Sequence, residues 1–240
     1  MSKKKKKFIF FIMFWTILIV SFIFFSALIV LKANGYQLNY KNWNLTKTGM
    51  ILLDGTPNDA LIRVNNKTFT NGFPLKLSNL ALARYDINVS KDGYNSWQKD
   101  ILVNPGMAIA YRDIVLFLQN PKELNNNNLT SEEIIQEAGD LTSNIKTNKT
   151  EIFIDERIIT RFSTNILAAY YYPDKQHIIV QIEKENNQNQ TELRVIDIDG
   201  SNNQYLFDLA SKSPAPITFR KNGEELYYIE ADLVKSKTIR

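Results

Sequence analysis

The 240-residue chain contains no cysteine. That absence excludes disulfide frameworks, thiolate zinc sites and thiol nucleophiles together, and leaves an exported chain to rely on its hydrophobic core. Histidine is nearly absent too. With His177 alone, a His-rich metal site is excluded. Basic charge is scarce where nucleic acid would need it. Lys3 to Lys7 hold five of the 29 basic residues, leaving 24 against 25 acidic groups, so the formal charge of +4 becomes −1 beyond them. No nucleic-acid footprint is expected. Hydrophobic residues at 44% and charged residues at 22% give a globular composition, enough for one or two domains with proper cores.

What is present begins with a long greasy run. Phe8 to Leu31 carries no charge, with Thr16, Ser21 and Ser26 its only hydroxyls. As a helix it would reach about 36 Å, enough for a hydrocarbon core about 30 Å thick. The competing reading is a cleavable signal peptide, whose apolar region is usually only about 7–15 residues. Leu31-Lys32-Ala33 is a poor cleavage site, and an uncleaved anchor is the expectation. Residues 1–7 form a basic tail facing Lys32 alone on the far flank, which predicts a cytoplasmic amino end and an extracytoplasmic remainder in the cell membrane. Tyr36, Tyr40 and Trp43 read either as an interfacial aromatic belt or as the opening of the next domain.

From Thr48 the pattern is one of short strands. Tyr85, Ile87 and Val89 alternate as in a half-buried strand, and Asn65-Asn66, Asp92-Gly93 and Asn104-Pro105-Gly106 supply turns. About seventy such residues predict a small antiparallel β-sandwich over residues 45–118. Pro57-Asn58-Asp59-Ala60, Ile62-Arg63-Val64, Asn65-Asn66, Phe73-Pro74-Leu75 and Gly93-Tyr94-Asn95-Ser96-Trp97 follow one another in the order and spacing of the PEGA domain, which this segment resembles. Asp59 stands where that family usually has Gly, and Ala83-Arg84 replaces a Pro-Gly turn before Tyr85. The resemblance implies a structural or adhesive module without catalytic residues. Within it Tyr94 and Trp97 read as packed side chains or as exposed platforms for a sugar.

Residues 119–150 read as a linker, broken by Pro121 and by Asn125 to Asn128. One short helix is written into it: Thr130 and Glu133 form a capping box, Leu129 and Ile134 a hydrophobic staple, and Gly139 a stop. Over residues 151–240, residues 168–182 align with 215–229 without a gap at a period of 47. Each reads as strand, turn, strand, and the intervening segment adds two strands about Asp199-Gly200-Ser201-Asn202. Four-stranded repeats of this period are the pattern of propeller blades. The Tyr-Pro-Asp-Lys turn at residues 172–175 resembles that of TolB-like repeats. About two blades fit, too few to close a ring, so the segment stacks as an open sheet on the first module, assembles with other copies, or is a shortened relative of larger proteins; the last is the expectation and predicts an exposed edge strand at the C-terminus.

The expected fold class is therefore all-β: one transmembrane helix (8–31), a PEGA-like sandwich and about two propeller-type repeats. Candidate binding residues are Trp97, Tyr94 and the run Tyr170, Tyr171, Tyr172. Asp197, Asp199 and their Asn and Ser neighbours invite calcium, but Gly200 comes too early for the standard loop, and a hairpin turn explains them. His177 beside Asp174 has no serine elbow to serve and aligns with Glu224, which predicts a solvated turn position. Asn66-Lys67-Thr68 and Asn148-Lys149-Thr150 are triplets that chance supplies in an Asn-rich chain. No catalytic residue, metal or cofactor is expected. The partners expected are the membrane, through the chain's own helix, and cell-wall polymer, a surface layer or another envelope protein.

Overall fold

The computed structural model describes residues 3–39, 44–125, 129–185 and 187–240. Strands take 51% of the chain and helix 18%, which makes it mostly β with one long apolar helix. Two compact units divide it, residues 1–52, 76–85 and 101–110 forming the first and residues 53–75, 86–100 and 111–240 the second.

In the first unit, helix α1 (Lys3–Ala33) is continuous because leucine, isoleucine and phenylalanine follow one another with no proline or glycine to interrupt the hydrogen-bond ladder. Its stretch Phe8–Ala33 is long and apolar enough to cross a membrane, and none of that stretch is buried. The helix ends at Asn34-Gly35, where the Asn34 side chain donates to Val30 O at 2.8 Å and Gly35 takes φ +78°. Thr48 then grips the carbonyl of Gly35 twice, from its backbone N–H at 2.8 Å and its hydroxyl at 2.7 Å. Strands β1 (Tyr36–Asn39) and β2 (Asn44–Lys47) make a hairpin, with Tyr36 opposite Lys47. Of the aromatic residues expected at an interface, Tyr36 begins this hairpin, whereas Tyr40 and Trp43 lie outside the described residues.

Seven strands follow: β3 (Gly49–Thr56), β4 (Leu61–Val64), β5 (Lys67–Phe69), β6 (Leu75–Leu80), β7 (Ala83–Ser90), β8 (Trp97–Val103) and β9 (Ala108–Val115). They form sheets of order β6-β3-β9 and β5-β4-β7-β8. Ile51 and Leu53 in β3, Ile62 and Val64 in β4, and Ile87 and Val89 in β7 are buried at every second position, as a pleated strand with one solvated face requires. The turns fall where expected. Asn65 adopts φ +50° in the β4–β5 hairpin, and Gly93 and Gly106 have positive φ in theirs. Ala83-Arg84 is no turn at all, because β7 already begins there.

The rest of the second unit starts with β10 (Lys122–Glu123) and α2 (Ser131–Asp140). The capping box of Thr130 and Glu133 is formed. The helix runs past Gly139 and ends at Leu141, so Gly139 is not its stop. Three sheets come next: β11 (Ile145–Asn148) with β12 (Glu151–Ile154) and β13 (Arg157–Arg161); the meander β14 (Ile166–Tyr171), β15 (His177–Lys184), β16 (Asn187–Asp197) and β17 (Gln204–Leu209); and β18 (Ile217–Arg220), β19 (Glu225–Glu230) and β20 (Leu233–Thr238). The middle sheet is covered on both faces. Ile178, Val180, Ile182 and Ile196 pack against Ile152 on one side, while Ile179, Leu193 and Val195 join Phe117, Ile217, Leu226 and Tyr228 on the other. Burial on both faces explains why His177–Ile182 is an unbroken buried run rather than an alternating one.

Among the described residues no closed propeller is formed. The expected open edge is not found at β20, because β10 pairs with it, Lys122 opposite Thr238 and Glu123 opposite Lys237. A strand from the segment read as linker thus makes the fourth member of that sheet. The asparagine run itself falls partly outside the described residues, at 126–128.

Candidate functional site

The densest concentration of charged and polar side chains in the second unit gathers where β8 meets the turn between β16 and β17. Alternation along β8 puts Trp97 and Lys99 on one side. The Trp97 indole N–H donates to Asp197 Oδ2 at 3.1 Å. Lys99 Nζ lies 2.6 Å from Asp199 Oδ2 and 3.4 Å from Asp197 Oδ2, with the rings of Trp97 and Tyr111 5.7 and 5.2 Å from the cation. Ser201 Oγ and Asn202 Nδ2 also donate to Asp197 Oδ2, at 3.2 and 2.9 Å. On its other oxygen, Asp197 faces His177 Nε2 at 3.6 Å, and His177 Nδ1 is 2.7 Å from Asp174 Oδ2. Backbone bonds extend the seam: Gln98 N–H donates to Asn202 Oδ1 at 2.9 Å, and Gln204 Nε2 donates to Ser96 O at 2.9 Å.

Electrostatically the knot is self-contained. Burial pushes the Lys99 pKa down, but the hydrogen bond to Asp199 and the two carboxylate charges outweigh it and hold the ammonium above its ordinary value. Burial likewise opposes ionisation of Asp199, and the bonds from Lys99 and Ser201 overcome it, so its pKa is lowered. The lysine ammonium lies against both of the carboxylates that invite calcium in the sequence, and they lie about a hairpin turn, as expected.

His177 corrects the sequence reading. It is only 3% exposed, not a solvated turn residue. Asp174 caps the turn by accepting the N–H groups of Gln176 and His177 at 2.7 and 3.1 Å, which aims the imidazole inward, edge-on to Phe117 and Tyr172. Both ring nitrogens face carboxylates, so the imidazole presents neither of them to a substrate.

Of the five aromatic candidates, Trp97, Tyr170 and Tyr172 are 3%, 6% and 1% exposed. A ring with no free face has nothing to offer a sugar. Tyr170 donates to Ala215 O at 2.9 Å and burial pushes its hydroxyl up to about 12. Tyr172 sits between Phe117 and Phe219, at 5.3 Å from each. Tyr171, on the opposite side of β14, is half-buried, and Tyr94 is half-buried in a cleft of about 640 Å³ with Asp59, Ser90, Lys91 and Gln119. The structure thus brings Trp97 into the polar seam and Tyr170 and Tyr172 into the core, and does not gather the five into one platform.

A second cavity, of about 390 Å³, belongs to the first unit and was not foreseen in the sequence. Ala33 and Asn34 at the end of α1, Lys47, Lys76, Ser78 and Met107 are among its lining residues. Part of its signal in the sequence is the acid-free stretch before Asp54, which holds Lys32, Lys41 and Lys47. No protein-family model matches the chain, and no curated protein matches it in sequence.

Proposed function

We propose that this protein is a single-pass, membrane-anchored and extracytoplasmic module without enzymatic activity, serving interaction or scaffolding in the cell envelope. The observation that carries this reading is α1. Its stretch Phe8–Ala33 has no part buried in the fold, and exposing so much hydrocarbon to water costs about 25 cal/mol per Å², which a bilayer removes. Lys3 to Lys7 favour a cytoplasmic amino end. The order of turns and strands over residues 45–118 supports a PEGA-like module, and the meander β14–β17 followed by β18–β20 supports shortened propeller-type repeats. Cell-wall polymer, a surface layer or another envelope protein are the partners this reading implies.

Pull-down of the full chain from solubilised membranes tests it, recovery of one such partner being expected; return of the chain alone would sink it. Protease added to cells stripped of their outer coat should digest the β-rich body and spare the amino end. A second reading, a carbohydrate-binding module, has one observation in its favour: the polar cleft at Tyr94. It expects Tyr94→Ala to abolish retention on a polysaccharide column without changing the melting temperature.

A further inference from the structure

The two units differ completely in charge. All 25 acidic residues belong to the second, whereas the first holds ten of the 29 basic residues, including Lys32, Lys41, Lys47, Lys76 and Arg84 beyond the amino-terminal cluster, and no carboxylate side chain. Lys47 and Lys76 are exposed and line the cavity at the end of α1, and with no acid in their unit they have no carboxylate there to pair with. Apolar side chains stand exposed in the same unit: Leu82 at 60%, Met107 at 54%, Leu102 at 47% and Leu45 at 45%. Two lysines and an exposed methionine lining one cavity at the end of an apolar helix are the composition of a surface that lies in a lipid headgroup layer, where the apolar chain enters hydrocarbon and the ammonium groups meet phosphate.

Distance fixes the place. The span Phe8–Ala33 has 26 residues, about 39 Å of helix against about 30 Å of hydrocarbon, so its end falls among the headgroups. Ala33 and Met107 line one cavity. We propose that the first unit docks on the bilayer that α1 crosses, and that the cavity bounded by Ala33, Asn34, Lys47, Lys76, Ser78 and Met107 takes the phosphate of an anionic lipid headgroup. This rests on the membrane-anchored reading and adds to it a specific lipid contact.

The absence of cysteine makes the test clean, since Met107→Cys accepts a single environment-sensitive fluorophore. The full chain is reconstituted into vesicles of phosphatidylcholine alone or with phosphatidylglycerol, and quenching by headgroup-labelled lipid is compared with quenching by aqueous iodide. Lipid quenching should dominate in the anionic vesicles and fall about five-fold in apparent docking constant for each of Lys47→Gln and Lys76→Gln. A chain that floats with vesicles while position 107 stays equally open to iodide in both overturns the docking alone. Failure to float at all overturns the anchor as well. Loss of lipid quenching on adding millimolar inorganic phosphate at constant ionic strength would reassign the cavity to free phosphate, and indifference to both lysine substitutions would remove the headgroup from the account.

Discussion

The first unit contains no acidic side chain to set against its basic ones, and the second ties many of its own charges together. Beyond the amino-terminal lysines the chain sums to −1, yet this is five basic residues without an acid in one unit and 19 against 25 in the other. In the second unit the polar seam collects one lysine, one histidine and three aspartates within a few ångströms, and Arg220 holds Glu137 through two bonds of 2.7 and 2.8 Å. Those charges hold one piece of the fold to another. The first unit has no acid within it for its lysines and arginine to hold.

The sharpest way to break the contrast is Asp197→Ala, which strips the partner from Trp97 Nε1 and takes one of two carboxylates from Lys99 in a buried place. Losing one side of such a pair costs about 3–5 kcal/mol, expected as a fall in the urea midpoint of the detergent-solubilised chain, with amide exchange in α1 unchanged. Gly223→Ala comes next. A Cβ there would lie 2.1 Å from the Tyr172 hydroxyl at a backbone φ of +93°, and steric and conformational strain together should remove about 2–3 kcal/mol, read from the same denaturation curve.

Acid should also separate the units. Glu137 is lowered first by Arg220 and then by Thr218, while Asp199 and Glu230 are lowered by bonds that overcome their burial. Carboxyls depressed in the folded state stabilise it above their unfolded values, 4.5 for Glu and 3.8 for Asp, and that stabilisation is lost as pH falls through those values towards the folded ones. Exchange protection in the second unit should decline over that window, whereas the first has no acidic side chain to titrate. Thr130→Ala, which removes the α2 cap, should cost about 1 kcal/mol in thermal denaturation. Lys47→Gln in detergent should shift stability by less than about 0.5 kcal/mol, because nothing in the fold depends on its charge.

Features written over a few consecutive residues were legible in the sequence. The Thr130–Glu133 box, the turns at Asn65, Gly93 and Gly106 and the 47-residue spacing all depend on neighbours in the chain, and the strands of the two aligned segments fall at 166–184 and 217–230. Features made by distant partners were not. His177 is buried because Phe117, sixty residues earlier, closes over it. The edge of β20 is covered by Lys122-Glu123, a pair without any strand pattern of its own. β5 and the β1–β2 hairpin were missed because Lys-Thr-Phe and the asparagine-rich stretch around residue 42 show no apolar alternation, and β1 and β2 pair mainly through backbone. The aromatic candidates divided by parity: in β14, Tyr170 and Tyr171 point to opposite faces, and sequence alone did not tell which side the core occupied.

The joint at Gly35 sets how freely the first hairpin can swing on α1. Two residues, Asn34 and Gly35, separate α1 from β1, a reach of about 7 Å even when fully stretched, and Thr48 bolts the second of them to the start of β3. So tied, the β1–β2 hairpin and the end of α1 turn together as one piece.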